Sequence, residues 1–440
     1  MPPNNTQELG TIGFKSRIPG FGVKEKSSRV WLNGRKQIDG AENVFWRVHD
    51  GLYDLTGFIK NHPGGSQWLE LTQGTDITEA FEAHHLSEKP EKLLEKFYIK
   101  DAITERVSPY TFKRDGFYRT LKKRVGIILK DTPKIPITIS KFYADSLLIL
   151  TFLTSLLACN FGNYFLVGLS GFFLATVIIS AHNYFHQADN FRMFYFQLGF
   201  QSVKEWRVSH ALSHHLFPNT IIDMEMYIFE PLATYFPKNK SFLKRYLPWL
   251  VSPLIWCLVF HGSFFLRLRE FFKYNKKEFN ISYLIPFSLP IFLVTFSNQP
   301  VITCFYFWTC IILSGSFIFA IIGINAAHHA PDIFHDGDAA RNEKDFGIAQ
   351  LDAVMDREEI LGSHLWTLTT FGQHALHHLF PTIDHGLLKF IYPVFEETMN
   401  EFGVGLRLSN SFKLMKGQFR QIAKVEPNLI PPGFDLIKNK

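Results

Sequence analysis

A chain of 440 residues with a net charge of +6, 46% hydrophobic and 20% charged, has the averages of an ordinary soluble protein and room for more than one folding unit. Those averages conceal a segregation: the first 140 residues are polar and charged, while much of 142–324 is apolar. The basic excess falls in runs beside apolar segments, such as KKR at 122–124 and KNKSFLKR at 238–245, so it reads as membrane flanking and argues against nucleic acid as a partner.

In chain order, the first stretch is MPPNNTQELG, which lacks a basic region followed by an apolar one; no secretory signal is expected, and 1–25 reads as a polar tail. Cys159, Cys257, Cys304 and Cys310 all lie in apolar stretches without a CxxC pair, which argues against a disulfide framework and for a reducing cytosolic face.

Residues 44–66 read VFWRVHDGLYDLTGFIKNHPGGS. In the His-Pro-Gly-Gly unit the imidazole is free to meet iron, Pro63 stiffens the turn, and Gly64 and Gly65 permit a close approach that a Cβ would block. A second histidine is needed on the opposite face of the ring, and DITEAFEAHHLSE at 76–88 offers His84 and His85. With the YDLTGFIKNHPGG run and the DITEAF helix, 26–101 resembles a cytochrome b5 haem-binding domain. That resemblance implies haem b with His62 as one axial ligand. His85, four residues after Phe81, is expected as the other, with His84 as its rival and otherwise an exposed neighbour of the haem edge. Two protein ligands leave no open position for oxygen, so this iron is expected to carry electrons. No CxxCH occurs, so the haem is expected to be non-covalent. Glu70, Asp76, Glu79, Glu82, Glu88 and Glu91 offer a negative face that could steer a basic reductase.

Residues 102–141 read as a basic, flexible linker. Beyond it, four stretches are expected to span a membrane: 142–160, 163–181, 281–296 and 301–324. The links within each pair carry no Lys or Arg, whereas Lys141, Lys276 and Lys277 flank the pairs, which predicts two hairpins with every long segment cytosolic. A fifth apolar stretch, 247–266, has basic clusters on both sides and is expected to lie in the interface or re-enter, with a true span as the alternative.

Three histidine clusters follow. SAHNYFHQADN at 180–190 places His182 and His186 at i and i+4, one face of a helix. HALSHHLFPNT at 210–220 repeats that spacing with His210 and His214 and adds His215; HALHHLFPT at 374–382 gives His374, His377 and His378. Eight histidines in three clusters at one predicted membrane boundary point to metal. Imidazole alone suits zinc, copper, iron or nickel, and so many ligands suggest two ions.

The order HxxxH, HxxxHH, HxxHH, interleaved with two hairpins, resembles the membrane fatty-acid desaturases, and more narrowly the b5-fused group that includes the insect cytochrome b5-related proteins. The HHLFPT run at 377–382 is the most specific mark. The resemblance covers about 26–390. It implies an α+β cytochrome b5-like haem domain followed by an all-α integral membrane domain (142–390) with a cytosolic histidine cap, then a cytosolic tail (391–440). It also implies a non-haem di-iron centre, O2 and an acyl lipid as reactants, NADH-cytochrome b5 reductase as electron donor, and the endoplasmic reticulum membrane with both termini cytosolic. A further ligand is expected within NAAHH at 325–329: His329 by spacing, with His328 as its rival and Asn325 acting through water. One departure is His374, where front-end desaturases carry glutamine, so front-end regiochemistry does not carry over. Lipid hydroxylation, or a haem electron carrier whose membrane half has lost catalysis, are the rival readings. His49, His261, His335, His364 and His385 are expected to be structural, with a role in supporting the ligands from behind as the alternative for His364 alone.

Overall fold

The computed structural model describes residues 10–22, 25–274, 280–324 and 327–432; Asn325, Lys276 and Lys277 lie outside them. Residues Trp46–Val48, Gly51–Tyr53 and Tyr98–Asp101 pair antiparallel in a small sheet. Short helices Ser66–Thr72 and Thr78–His84 pack on it through Trp46, Val48, Leu55, Leu69, Ile77 and Phe81. This is the expected α+β haem module with its own small core.

Among the described residues, three helices are long and apolar enough to cross a membrane: Ile135–Phe161, Tyr164–Phe185 and Val301–Ile324. The first hairpin turns in two residues. Gly162 takes the left-handed conformation (φ +61°) that ends the first helix, and the Asn163 side chain accepts from the amides of Phe165 and Leu166 to start the second. The second and third of these helices touch at Gly171, where a Cβ would stand 2.3 Å from Ser314 Oγ, so glycine sets their close approach. Phe142, Ile149, Leu153, Phe165, Leu254 and Ile302 remain exposed, as lipid-facing side chains are.

The second expected hairpin is only half regular. Residues 281–296 form a 3-10 turn (Ile281–Phe287), with Pro286 inside it, that runs into a nine-residue helix (Ser288–Phe296), together too short for a full span. The fifth apolar stretch is a helix pair, Phe242–Cys257 and Val259–Lys273, bent by 74° into a broken span or a re-entrant loop. The cysteines are free thiols, with Cys159 and Cys304 3.9 Å apart at the hairpin end.

The segments expected to be loose are packed. Within 102–141, helix Phe117–Asp131 buries Phe117, Tyr118, Leu121 and Val125 in the largest core and lies along helix Leu388–Glu401 of the expected tail. Phe14, in the expected N-terminal tail, is buried edge-on against Tyr110 and Phe217. The haem module is therefore held in place rather than swung on a tether. Half of the expected acidic face is corrected by the same packing, while Glu70 and Glu88 remain exposed. Asp76, Glu79 and Glu82 are buried and paired inward: Arg106 donates to Asp76 (2.7 Å) and Glu79 (2.5 Å), while Lys122 (2.9 Å) and Arg119 donate to Glu82. They fasten the module to the rest of the chain and are not available to steer a partner.

Candidate metal centre and haem site

In the haem module, the rings of His62 and His85 lie with centroids 6.3 Å apart and planes at 85°. Two iron–nitrogen bonds of about 2 Å, plus about 1.1 Å from each nitrogen to its ring centre, require a separation slightly above 6 Å, so the gap fits one iron. Each ring is fixed from behind: His62 Nδ1 lies 2.9 Å from Gly65 O, and His85 Nδ1 lies 2.9 Å from Phe81 O. Donation from Nδ1 leaves Nε2 as the bare ligand atom. Gly64 is where the turn needs glycine, because a Cβ there would stand 2.9 Å from the His62 ring. His84 is not the exposed neighbour expected. Its ring packs on Trp68 at 5.4 Å, and its Nε2 is shut off from solvent. Burial holds both His84 and His85 down to about 4, in the neutral form.

The three clusters converge, together with one histidine from 325–329, into two buried groups. The first comprises His182, His186, His210, His215 and His377; the second comprises His214, His328, His374 and His378. Their Nε2 atoms crowd together: 2.8 Å for His182–His210, 3.2 Å for His182–His186, 3.2 Å for His182–His377 and 3.0 Å for His210–His215. In the second group His328 lies 2.6 Å from His374 and 3.0 Å from His378. Ligands on one ion, at bonds of about 2.1 Å, stand about 3.0–3.4 Å apart; four of these six separations match and the other two are shorter, so each group is close to the dimensions of a coordination shell. His215 stacks on His378 at 4.1 Å, which sets the two groups side by side.

Local winding explains the sorting. Helix Tyr164–Phe185 delivers His182, with His186 as its C-cap, and these share a face as the i, i+4 spacing predicts. The second cluster departs from that rule. Arg207–His214 is a π-helix, and His215 N donates to His210 O at 2.8 Å, five residues back. The wider turn brings His210 and His215 to one group and sends His214 to the other. In the helix His374–Leu379, His374 and His378 (i, i+4) face the second group while His377 faces the first.

At 325–329 the expectation is corrected. His328, not His329, enters the second group, with its Nδ1 3.0 Å from Ala353 O. His329 turns away and stacks flat on Tyr235 at 3.6 Å. One residue of offset in a loop decides which imidazole faces inward, and helical spacing carries no information about it.

Carboxylates and carbonyls hold the outer nitrogens. His210 Nδ1 lies 2.6 Å from Glu225, His214 Nδ1 2.9 Å from Asp223, His374 Nδ1 3.0 Å from Phe371 O and His378 Nδ1 3.1 Å from Gln350 Oε1. This is the arrangement that fixes tautomer and ring orientation behind a metal. Sequence reasoning missed Asp223 and Glu225, although both follow the second cluster within eleven residues of His214. It also missed His385, whose Nε2 lies 3.2 Å from His377 Nδ1. His364 is joined to this wall more remotely: its Nε2 lies 2.8 Å from Ser140 Oγ, which donates to Asp384 at 2.6 Å.

Burial and neighbouring imidazoles push His186, His215, His328, His377 and His378 well below the usual imidazole range, so they are neutral, as ligands must be. His214 is the exception: burial lowers it, but Glu225 and Asp223 outweigh burial and raise it to about 9, so a metal binding there would displace a proton. Phe185, Trp206 and Phe371 pack on the first group's rings and keep it dry.

Residues 154–409 match the fatty acid desaturase family, and residues 35–103 match the cytochrome b5-like heme/steroid binding domain. A cytochrome b5-related protein of Drosophila melanogaster is 42% identical over 92% of this chain and 94% of its own length. More distant relatives are Delta(5) fatty acid desaturase A of Dictyostelium discoideum, 25% identical over 84% of this chain and 88% of its own, and an acyl-lipid (8-3)-desaturase of Mortierella alpina, 21% identical over 84% and 91%. No solved structure matches the chain. A haem module with two adjacent imidazoles, joined to apolar helices that carry clustered histidines, is thus found in a chain that belongs to the fatty acid desaturase family, in the form that carries an amino-terminal cytochrome b5 domain.

Proposed function

We propose that the protein is an O2-dependent desaturase of lipid acyl chains that draws electrons through its own haem b and uses a non-haem iron pair. The observation that carries this reading is the convergence of nine imidazoles into two adjoining groups, beside a docked haem pair. His62 and His85 would hold the haem. His182, His186, His210, His215 and His377 would hold one iron, and His214, His328, His374 and His378 the other. The irons, when bound, supply O2 activation. The chain's own residues do the rest. Asp223, Glu225 and Gln350 orient the rings, and Phe185, Trp206 and Phe371 exclude water. In balance, a saturated acyl segment loses two hydrogens, and these with O2, two electrons and two protons give a double bond and two waters. The electrons are supplied by NADH-cytochrome b5 reductase, the acyl chain lies among the apolar helices, and the location is the endoplasmic reticulum membrane with both termini and the haem module cytosolic.

The test is mass spectrometry of acyl chains after turnover of the purified protein in lipid vesicles with NADH, reductase and O2. Products lighter by two hydrogens support desaturation. Products heavier by one oxygen make the protein a hydroxylase, and unchanged chains with competent haem reduction make it an electron carrier.

A further inference from the structure

His84 is left over once the haem has its two ligands, and its placement calls for a cause. An unpaired buried nitrogen carries a desolvation cost that an apolar side chain in the same space would avoid. His84 nevertheless keeps a buried Nε2 with no hydrogen-bond partner among the described residues, while its Nδ1 is pinned 2.9 Å from Ala80 O.

Its surroundings join the two halves of the molecule. On one side the chain continues directly into His85. On the other, the His84 ring packs on Trp68, which is itself covered at 4.6 Å by the guanidinium of Arg207. Arg207 opens the π-helix that carries His210 and His214, and it donates to Gln67 of the haem module at 2.9 Å. Trp68 packs against both the core of the cytosolic cap and the core of the membrane half. Thr382, just past the third histidine cluster, reaches the backbone carbonyl of His84 at 3.5 Å.

We infer that His84, buttressed by Trp68, is the bridge through which electrons pass from the haem site to the histidine cage. Each transfer takes one electron from the reduced haem and delivers it to the oxidised cage; no bond forms or breaks, and two transfers serve one turnover. A continuous path of bonded and packed atoms without intervening water favours such transfer, and a fixed interface keeps that path closed. The inference rests on the proposed iron pair in the cage.

The experiment uses the full-length protein in detergent, loaded with haem and iron. The haem is reduced without oxygen, and its reoxidation on mixing with O2 is followed by stopped-flow absorbance. His377→Ala, with a damaged cage, gives the background rate. In His84→Leu the haem spectrum and midpoint potential stay at parental values, and hydrogen exchange over 78–84 and 117–131 shows the module still docked. Reoxidation nevertheless slows by about tenfold or more, toward the background. His84→Phe, which keeps a ring in place, is the second variant should leucine disturb the fold, and it loses less rate than leucine. Parental reoxidation in His84→Leu with docking intact overturns the bridge. Loss of the two-imidazole spectrum also overturns it, because His84 is then the axial ligand. If the parent reoxidises no faster than His377→Ala, the iron-pair reading itself fails and takes the bridge with it.

Discussion

The haem pair and the histidine cage are two ways of building a metal site in one chain. His62 and His85 stand 23 positions apart in one small module, and each is held by a backbone carbonyl three or four residues away. The cage gathers imidazoles from positions 182 to 378, and side chains from other segments, such as Gln350, hold their outer nitrogens. A local site survives as a module, and so is readable from one motif. A distributed site exists only when the membrane helices, the π-helix and the third-cluster helix are all in place, so its integrity reports on the whole fold.

The two sites separate most visibly when one ligand is removed from each. His377→Ala is expected to abolish acyl oxidation and strip non-haem iron while the haem spectrum stays intact; His62→Ala is expected to do the converse, losing the haem band and keeping cage iron. Metal analysis and absorbance on the same samples check both, and loss of both metals in either variant would mean the sites are not separate.

A narrower division follows within the cage. His328→Ala is expected to lose the iron of the second group, whereas His329→Ala, which removes only a ring stacked on Tyr235, keeps both irons. Iron counts per haem distinguish the two variants.

The seam between the regions has its own signature. Burial would raise Glu82, but His49, Lys122 and Arg119 outweigh it and hold the carboxyl down to about 2 against an ordinary 4.5. A folded-state value below the unfolded one contributes stability that is complete above about pH 4.5 and is lost as pH falls toward about 2. The full contribution is about 3 kcal/mol. Acid titration by hydrogen exchange is expected to loosen 78–84 and 117–131 within that window, and Glu82→Gln is expected to flatten the dependence.

The smallest effect concerns the residues behind the ligands. Asp223→Ala leaves His214 able to bind but free to turn, and is expected to weaken metal affinity by about 10–100-fold, measured by competition with a chelator. An unchanged affinity would make Asp223 a fold residue only.

What the sequence reveals follows the same division. The haem motif, the first cluster and the third cluster are legible because helical spacing and a glycine turn are local rules. The second cluster is legible as metal-binding but not as sorted, since nothing in HALSHH announces a π-helix. The choice of His328 over His329 depends on a loop packed against Ala353 and Tyr235, contacts made with distant segments. Asp76, Glu79 and Glu82 look like a solvated face in sequence because their cationic partners, Arg106, Arg119 and Lys122, lie beyond the module in a segment that reads as linker. Residues 281–296 read as a span because they are apolar, yet their ordered helix is short; the folding of the linker and tail into the core has no local signal.

The most direct test of the account is the ratio of iron to haem in intact protein purified in mild detergent. Two groups of histidines close to the dimensions of coordination shells predict about three irons per haem, one in the porphyrin and two in the cage. A ratio near one, in protein whose haem site is fully occupied and whose fold is intact, would contradict the iron pair and leave a membrane-bound haem carrier.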